Sequence, residues 1–137
     1  MSFRQISVFL ENRPGALLEM TETLYTNSID MRAFSLAETS DFGIARIIVD
    51  DVEKTAAILR EAGYILSITP VIAVEVPNEP GGLRRTLRTL SEVNVNVEYM
   101  YAFVGSNPAV AMMVFRVADI EKAVTALESA GIREVTL

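Results

Sequence analysis

Along the first ten residues Ile6, Val8 and Leu10 alternate with Ser7 and are followed by Glu11, the two-residue period of a strand with one face buried. After Pro14-Gly15 the period lengthens. Leu17, Met20, Leu24 and Ser28 fall at helical spacing, and the Pro-Gly start suits a first helical turn. Ile29 to Ala37 and Ile44 to Val49 read as two apolar strands around the polar hairpin loop Thr39-Ser40-Asp41-Phe42-Gly43. Asp51 is placed to cap a helix whose stripe is Val52, Ala56, Leu59 and Ala62, ended by Gly63, and Tyr64 to Ile68 forms a further strand. The same order then recurs: Val71 to Val76 as strand, Leu83, Leu87 and Leu90 as helix, Val95 to Phe103 and Val110 to Val117 as strands. Ile120, Val124 and Leu127 before Gly131 make the last helix, and Ile132 to Leu137 the last strand.

The recurrence is a sequence repeat as well as a pattern. Asn12-Arg13-Pro14-Gly15-Ala16-Leu17 is echoed 66 positions on by Asn78-Glu79-Pro80-Gly81-Gly82-Leu83, with Thr23-Leu24 answered by Thr89-Leu90. Asp51-Val52-Glu53-Lys54 recurs as Asp119-Ile120-Glu121-Lys122, now 68 positions on, and Ala62-Gly63 as Ala130-Gly131. The two extra residues fit the second hairpin loop, Val104-Gly105-Ser106-Asn107-Pro108-Ala109. Each copy therefore predicts β-α-β-β-α-β, the ferredoxin-like unit, with both helices on one face of an antiparallel sheet. The expected fold is α+β, two tandem ferredoxin-like units over residues 1–70 and 71–137, paired side by side. A copy of this size has a thin core, and Ile44-Ala45-Arg46-Ile47-Ile48-Val49 is apolar on both faces. The other copy or a second chain should cover what the helices do not, so we expect a fused pseudo-dimer that forms a homodimer.

Composition narrows the chemistry. The 137 residues fit one compact domain or two small fused ones, and half are hydrophobic, too many for a disordered chain. There is no Cys and no His. That removes disulfides, thiolate nucleophiles, the favoured zinc ligands and the Ser-His-Asp and Cys-His catalytic arrangements. No cofactor and no metal are expected. The net charge of −6 repels nucleic-acid phosphates and anionic lipid headgroups. The start, Met1-Ser2-Phe3-Arg4-Gln5, leads into alternation rather than an unbroken signal-peptide core, and no stretch approaches the roughly 20 apolar residues that span a bilayer. We expect a cytoplasmic protein with no membrane and no nucleic-acid partner.

The repeated Asn-x-Pro-Gly turn is the candidate site. Pro14 and Pro80 fix φ, Gly15 and Gly81 let a ligand approach the backbone, and the helix that opens there presents unpaired N–H groups at its positive dipole end. A small carboxylate fits that setting. The side-chain amides of Asn12 and Asn78 both donate and accept, which suits a zwitterion. The plainer reading is a strand-to-helix turn with Asn as a cap.

A strand, Asn12-Arg13-Pro14-Gly15-Ala16-Leu17, an amphipathic helix and then Ser28-Ile29-Asp30-Met31 resemble the ACT domain, a small-molecule regulatory module of amino-acid metabolism. The resemblance covers the whole chain as two tandem copies, and Val97-Glu98-Tyr99-Met100-Tyr101-Ala102-Phe103 is similar to a segment of stand-alone bacterial tandem-ACT proteins. It implies amino-acid binding at the interface between two ACT units. In the ACT units of phosphoglycerate dehydrogenase, which the turn resembles, the turn Asn and a second Asn eighteen residues further on in the partner unit hold the effector. Carried onto this chain, those second positions are Asp30 and Asn96, so the implied pairs are Asn12 with Asn96 and Asn78 with Asp30. The ligand-binding set is then Asn12, Pro14, Gly15, Ala16, Leu17, Asp30 and Met31, with Asn78, Pro80, Gly81, Gly82, Leu83, Asn96 and Val97. Leu10 and Val76 stand where that dehydrogenase has a His, which implies a more hydrophobic ligand side chain. Asp30 pairs with an ammonium in this reading and is a solvated strand-start acid in the plainer one.

Other features have ordinary readings beside sharper ones. Tyr99, Tyr101 and Phe103 share a strand face with Val97 by the two-residue period. Base stacking on such a sheet is opposed by the acidic charge and the lack of a Lys/Arg-Gly-Phe segment. Sheet packing, a dimer contact or a pocket wall remain. Arg84, Arg85 and Arg88 form a basic stripe, either solvated or docking on an acidic enzyme surface, and Asp50-Asp51 complements a helix dipole. No base and nucleophile cluster. The expectation is a non-enzymatic sensor that binds a free amino acid and signals to a metabolic enzyme or regulator, with a structural module that only dimerises or docks as the rival.

Overall fold

A computed structural model describes residues 3–103 and 105–135. The chain divides into two compact units, one spanning Arg4–Thr69 and the other containing Pro70–Leu137. The N-terminal unit is built from β1 (Phe3–Glu11), α1 (Ala16–Thr26), β2 (Met31–Glu38), β3 (Phe42–Val49), α2 (Val52–Glu61) and the first part of β4 (Ile65–Pro77). The C-terminal unit takes the rest of β4 and then α3 (Gly82–Glu92), β5 (Val97–Phe103), β6 (Val110–Val117) and α4 (Ile120–Ser129). The element order in each is the tandem ferredoxin-like one.

Two expected strands, Tyr64 to Ile68 and Val71 to Val76, are one continuous 13-residue strand that passes through Thr69 and Pro70. Proline's fixed φ is compatible with extended backbone and its ring removes only one ladder donor, so the strand continues. Arg116 Nη1 donates to the Pro70 carbonyl at 2.9 Å. Of the last expected strand, Ile132 to Leu137, the described part, 132–135, pairs through a bridge between Val74 and Glu134. Glu75 N donates to Arg133 O at 3.0 Å and Val135 N to Ala73 O at 2.8 Å beside it. Met1, Ser2, Val104, Thr136 and Leu137 of the sequence expectations lie outside the described residues.

Within the N-terminal unit the strands run in the order β2-β3-β1, all antiparallel, with Ile6 opposite Ile47, Val8 opposite Ala45 and Leu36 opposite Ala45 on the other side. Ile6, Val8, Leu10, Ala45 and Ile47 form one core with Met20 and Leu24 of α1 and Ala56 and Leu59 of α2. Both helices therefore cover the same sheet face. In the C-terminal unit the order is β4-β6-β5, and Ile72, Val74, Phe115 and Val117 meet Leu90 of α3 and Ala123 and Leu127 of α4.

Each copy carries a β-bulge at the same place, between Met31 and Ala33 and between Val97 and Tyr99. The bulge corrects one expectation from simple alternation. Val97, opposite Val117, and Met100, opposite Phe115, both pack into the helix-covered core, whereas Tyr101 stands opposite Val114 outside that cluster. An extra residue in one strand shifts the alternation, so Val97 does not share a face with Tyr99, Tyr101 and Phe103. Strands β2 and β5 also begin two residues later than the apolar runs at Ile29 and Val95 suggest. Both residues are buried, but in the connection from helix to strand.

Helix α1 stops at Thr26, short of Ser28, which adopts a left-handed φ of 56°, as Asn94 does at 60°. The next amides, Ile29 N and Val95 N, reach back to Leu24 O and Leu90 O at 2.9 Å, closing the C-termini. Asp51 and Asp119 are side-chain caps, each accepting at 3.1 Å from the backbone N–H three residues on, at Lys54 and Lys122. Among the described residues no helix is long and apolar enough to cross a membrane.

Asp51→Ala and Asp119→Ala should each remove about 1 kcal/mol of stability, the usual value of a side-chain N-cap. Urea unfolding of both variants checks this, and losses under about 0.3 kcal/mol would contradict the capping assignment.

Candidate functional site

In both units the chain leaves a strand, turns through Asn-x-Pro-Gly and enters a helix of 11 residues. Asn12 N donates to Asp41 O at 3.0 Å, and its side-chain Nδ2 donates to Thr39 O at 3.1 Å. The second copy repeats both bonds: Asn78 N to Ala109 O at 2.9 Å and Nδ2 to Pro108 O at 3.1 Å. Neither Asn is a helix cap. Each one ties its turn to the hairpin loop of the same unit, and its Oδ1 has no donor among the described residues.

The cap position belongs to Gly15 and Gly81, at φ 85° and 87°, with no side-chain cap hydrogen bond. A left-handed residue is required there, which Gly adopts without steric cost. The first helical amides, of Leu17 and Leu18 and of Leu83 and Arg84, have no intrahelical acceptor by construction. The copies differ one residue further on. A Cβ at Gly82 would lie 2.1 Å from Pro77 O, whereas the matching position is Ala16, buried without conflict.

The structure thus gathers Asn12, Pro14, Gly15, Ala16 and Leu17 in one turn, and Asn78, Pro80, Gly81, Gly82 and Leu83 in the other. Leu17 and Leu83 face the cores. Met31 and Val97 do too. Asp30 and Asn96 are exposed, ahead of β2 and β5, and Asp30 pairs with Arg32 at 3.8 Å. Within each unit, among the described residues, no hydrogen bond joins Asp30 to the Asn12 turn or Asn96 to the Asn78 turn; the implied pairs, Asn12 with Asn96 and Asn78 with Asp30, take one residue from each unit.

Behind each turn lies a crevice that sequence reasoning missed. In the N-terminal unit it encloses about 310 Å³ between the end of β1, the start of α1 and the chain after α2, with Glu11, Arg13, Ala16, Glu19, Phe42 and Tyr64 in its wall. In the C-terminal unit it encloses about 290 Å³ at the matching place, with Glu75, Gly82, Arg85, Thr86, Val110 and Arg133 in its wall. The available signal was the charge at repeat-related positions: Glu19 answers to Arg85 and Ile65 to Arg133. A larger depression, about 760 Å³ between α3 and α4, is walled by Glu92, Asp119, Glu121 and Lys122 among others. Three carboxylates against one ammonium make it a poor carboxylate site.

The N-terminal crevice is occupied by its own charges. Arg13 donates through Nε to Glu11 at 2.9 Å and through Nη2 to Glu19 at 2.9 Å. These hydrogen bonds, Glu19's first and then Glu11's, hold the guanidinium above its ordinary pKa. Tyr64 is pushed up from 10.0 by burial and then by the charge of Glu19, against an opposing hydrogen bond with Thr23. The C-terminal crevice is differently arranged. Arg85 Nη2 donates to Ala130 O, while Arg133 and Glu75 have no side-chain partner among the described residues.

Residues 1–132 match the family described as an ACT domain pair. Among solved structures, a protein of Bacteroides thetaiotaomicron superposes with a TM-score of 0.92 and 38% identity over 98% of this chain and 92% of that one. The regulatory subunit of aspartate kinase from Thermus thermophilus, in its ligand-free form, gives a TM-score of 0.70 at 16% identity, covering 93% of this chain and 90% of that one. The regulatory subunit from Thermus flavus gives 0.69 at 14%, covering 96% and 94%. These two likenesses show a shared fold. Comparison with curated proteins gives no match.

The raised Tyr64 pKa has a defined consequence for stability. Folding favours the protonated phenol, so this contribution is complete below the unfolded-state value of 10.0 and is lost as pH rises through the higher folded-state value. Melting temperature followed against pH should fall above pH 10 and fall less steeply in Tyr64→Phe. Identical slopes for the two proteins would refute the assignment.

Proposed function

Because the chain belongs to the ACT family as a tandem pair of ACT units, we propose that it is a cytoplasmic, non-enzymatic regulatory protein that binds a free amino acid and signals its presence to a partner enzyme. The observation that carries this reading is the duplicated corner. In each unit Asn12 or Asn78 fastens the turn to a hairpin loop, and a left-handed Gly sets the first amides of α1 or α3 where a ligand carboxylate accepts them. The Asn Oδ1 on the same turn is the acceptor for the ligand's ammonium. Asp30 and Asn96, the positions that the family resemblance pairs with the turns, complete the ligand set in this proposal. Amino-acid occupancy acts by favouring one packing of the units over another, and only a ligand that distinguishes the two packings shifts their balance. The regulatory subunits of aspartate kinase share the fold, which fits a partner in amino-acid biosynthesis. A homodimer is the expected assembly.

A second reading has one observation in its favour. The Asn side chains already serve the fold through their hairpin contacts, so the turn is accounted for without a ligand. In that case the chain is an association module that docks without sensing.

Thermal denaturation with each of the twenty amino acids separates the two. A ligand at a hundred times its Kd adds about 2.7 kcal/mol. Asn12→Ala and Asn78→Ala should each lower the unliganded stability by about 1 kcal/mol, the worth of the lost hairpin bond. Measured against its own unliganded baseline, the double variant should also lose most of the ligand-induced shift. Absence of a shift with every amino acid would leave the association module as the function.

A further inference from the structure

We propose that the crevice of the C-terminal unit is a second ligand site, behind the Asn78 turn and sharing Gly82 with it, and that it takes a free amino acid with an acidic side chain. The argument starts from the difference between the two copies. Both crevices lie in the same place and have nearly the same volume, about 310 and 290 Å³, but their charges are disposed in opposite ways. In the N-terminal copy the cation is Arg13, and it is bound by both Glu11 and Glu19. The one cation of that crevice is taken up from within, and the lining keeps a net charge of −1. In the C-terminal copy the position of Glu19 is Arg85, the position of Ile65 is Arg133 and the position of Phe9 is Glu75. Two guanidinium groups and one carboxylate now line the space, and no ion pair among the described residues joins them.

Charge and donor geometry together select the ligand class. Arg85 is oriented by its bond to the Ala130 carbonyl and retains further N–H donors, since a guanidinium has five. Arg133 is fixed through its backbone, whose carbonyl accepts from Glu75 N at 3.0 Å, while its side chain remains unengaged among the described residues. Two guanidinium groups suit two carboxylates, each able to take paired N–H bonds. Glu75 suits an ammonium. The lining carries +2 and −1, and an amino acid with an acidic side chain carries −2 and +1, so every charge has a counterpart. Thr86, only 2% exposed, places a hydroxyl-bearing residue in this wall where the other copy has the fully buried Met20. The volume is at the small end for ligand pockets and fits a metabolite rather than a peptide.

Calorimetric titration of the full chain with L-aspartate, L-glutamate and succinate tests this. Wild-type protein should bind at least one of the two amino acids and prefer it to succinate. Arg133→Gln, which removes no side-chain hydrogen bond or ion pair among the described residues, should weaken that binding at least tenfold. Glu75→Gln should reverse the preference toward succinate, because the ammonium loses its partner. Asn78→Ala should weaken that binding less than Arg133→Gln does. No binding of either acidic amino acid, unchanged affinity in Arg133→Gln, or binding lost in Asn78→Ala but not in Arg133→Gln would each overturn the proposal, the last by returning the ligand to the turn. Failure here leaves the turn site open, since other amino acids remain to fill it.

Discussion

Each unit depends on a backbone conformation that only one residue type adopts easily. At Gly15 and Gly81 the chain passes from strand to helix through the left-handed region, and no side chain caps the helix that follows. A helix opened this way keeps its second and third amides, those of Leu17 and Leu18 or Leu83 and Arg84, free of intrahelical acceptors. In α2 and α4 the opposite solution is used, with Asp51 and Asp119 filling the acceptor role. The contrast is informative because it is repeated. One helix of each pair is closed by its own sequence, and the other is left open and held in place from outside, by an Asn that reaches the hairpin loop. The open corner's position is therefore set by the hairpin, and anything that moves the hairpin moves the amides.

Duplication fixed the frame and left the surface free to diverge. Strand pairing, the bulges after Met31 and Val97, the left-handed Ser28 and Asn94 and both Asp caps recur in the two copies. Side chains at the rim of the crevices do not. Leu18, Glu19 and Glu22 of α1 answer to Arg84, Arg85 and Arg88 of α3, so the same helical face is acidic in one copy and basic in the other. Backbone constraints are copied because altering them costs folding. Exposed charges contribute little to stability and drift unless something selects them. Arg85 and Arg133 are exposed too, but they line one crevice with Glu75, and Arg133 and Glu75 satisfy no partner within the described residues, so folding alone does not explain them.

Much of the fold was legible in the sequence because periodicity and repetition agreed. The 66- and 68-residue spacings, the Asp51 and Asp119 caps and the helical stripes each pointed to the same order of elements. What was not legible depended on geometry beyond one element. The bulge that sends Val97 and Tyr99 to different faces breaks a period that simple counting assumes. Ile29 and Val95 read as strand because they are apolar, yet their burial occurs in a connection. Pro70 reads as a break, yet extended backbone tolerates it. The site was legible only as a motif. That Asn12 and Asn78 would turn away to the hairpin depended on loop carbonyls far along the chain, and the crevices draw on three distant segments each.

The placement of the C-terminal crevice bears on how occupancy could be felt. Its wall includes Glu75 on β4, Arg85 on α3 and Arg133 in the segment that closes the unit. Among the described residues that closing segment meets β4 through a bridge at Glu134 and the backbone bonds at Glu75 and Val135. In the N-terminal copy the corresponding segment opens a 13-residue strand. A ligand held between Arg85 and Arg133 would join helix, strand and closing segment through side chains as well as through backbone. Whatever binds the closed arrangement and not the open one stabilises it, so the closing segment is where occupancy would be felt. The asymmetry between the copies then has a physical sense: Arg13 of one crevice is taken up by Glu11 and Glu19, while Arg133 and Glu75 of the other satisfy no partner among the described residues.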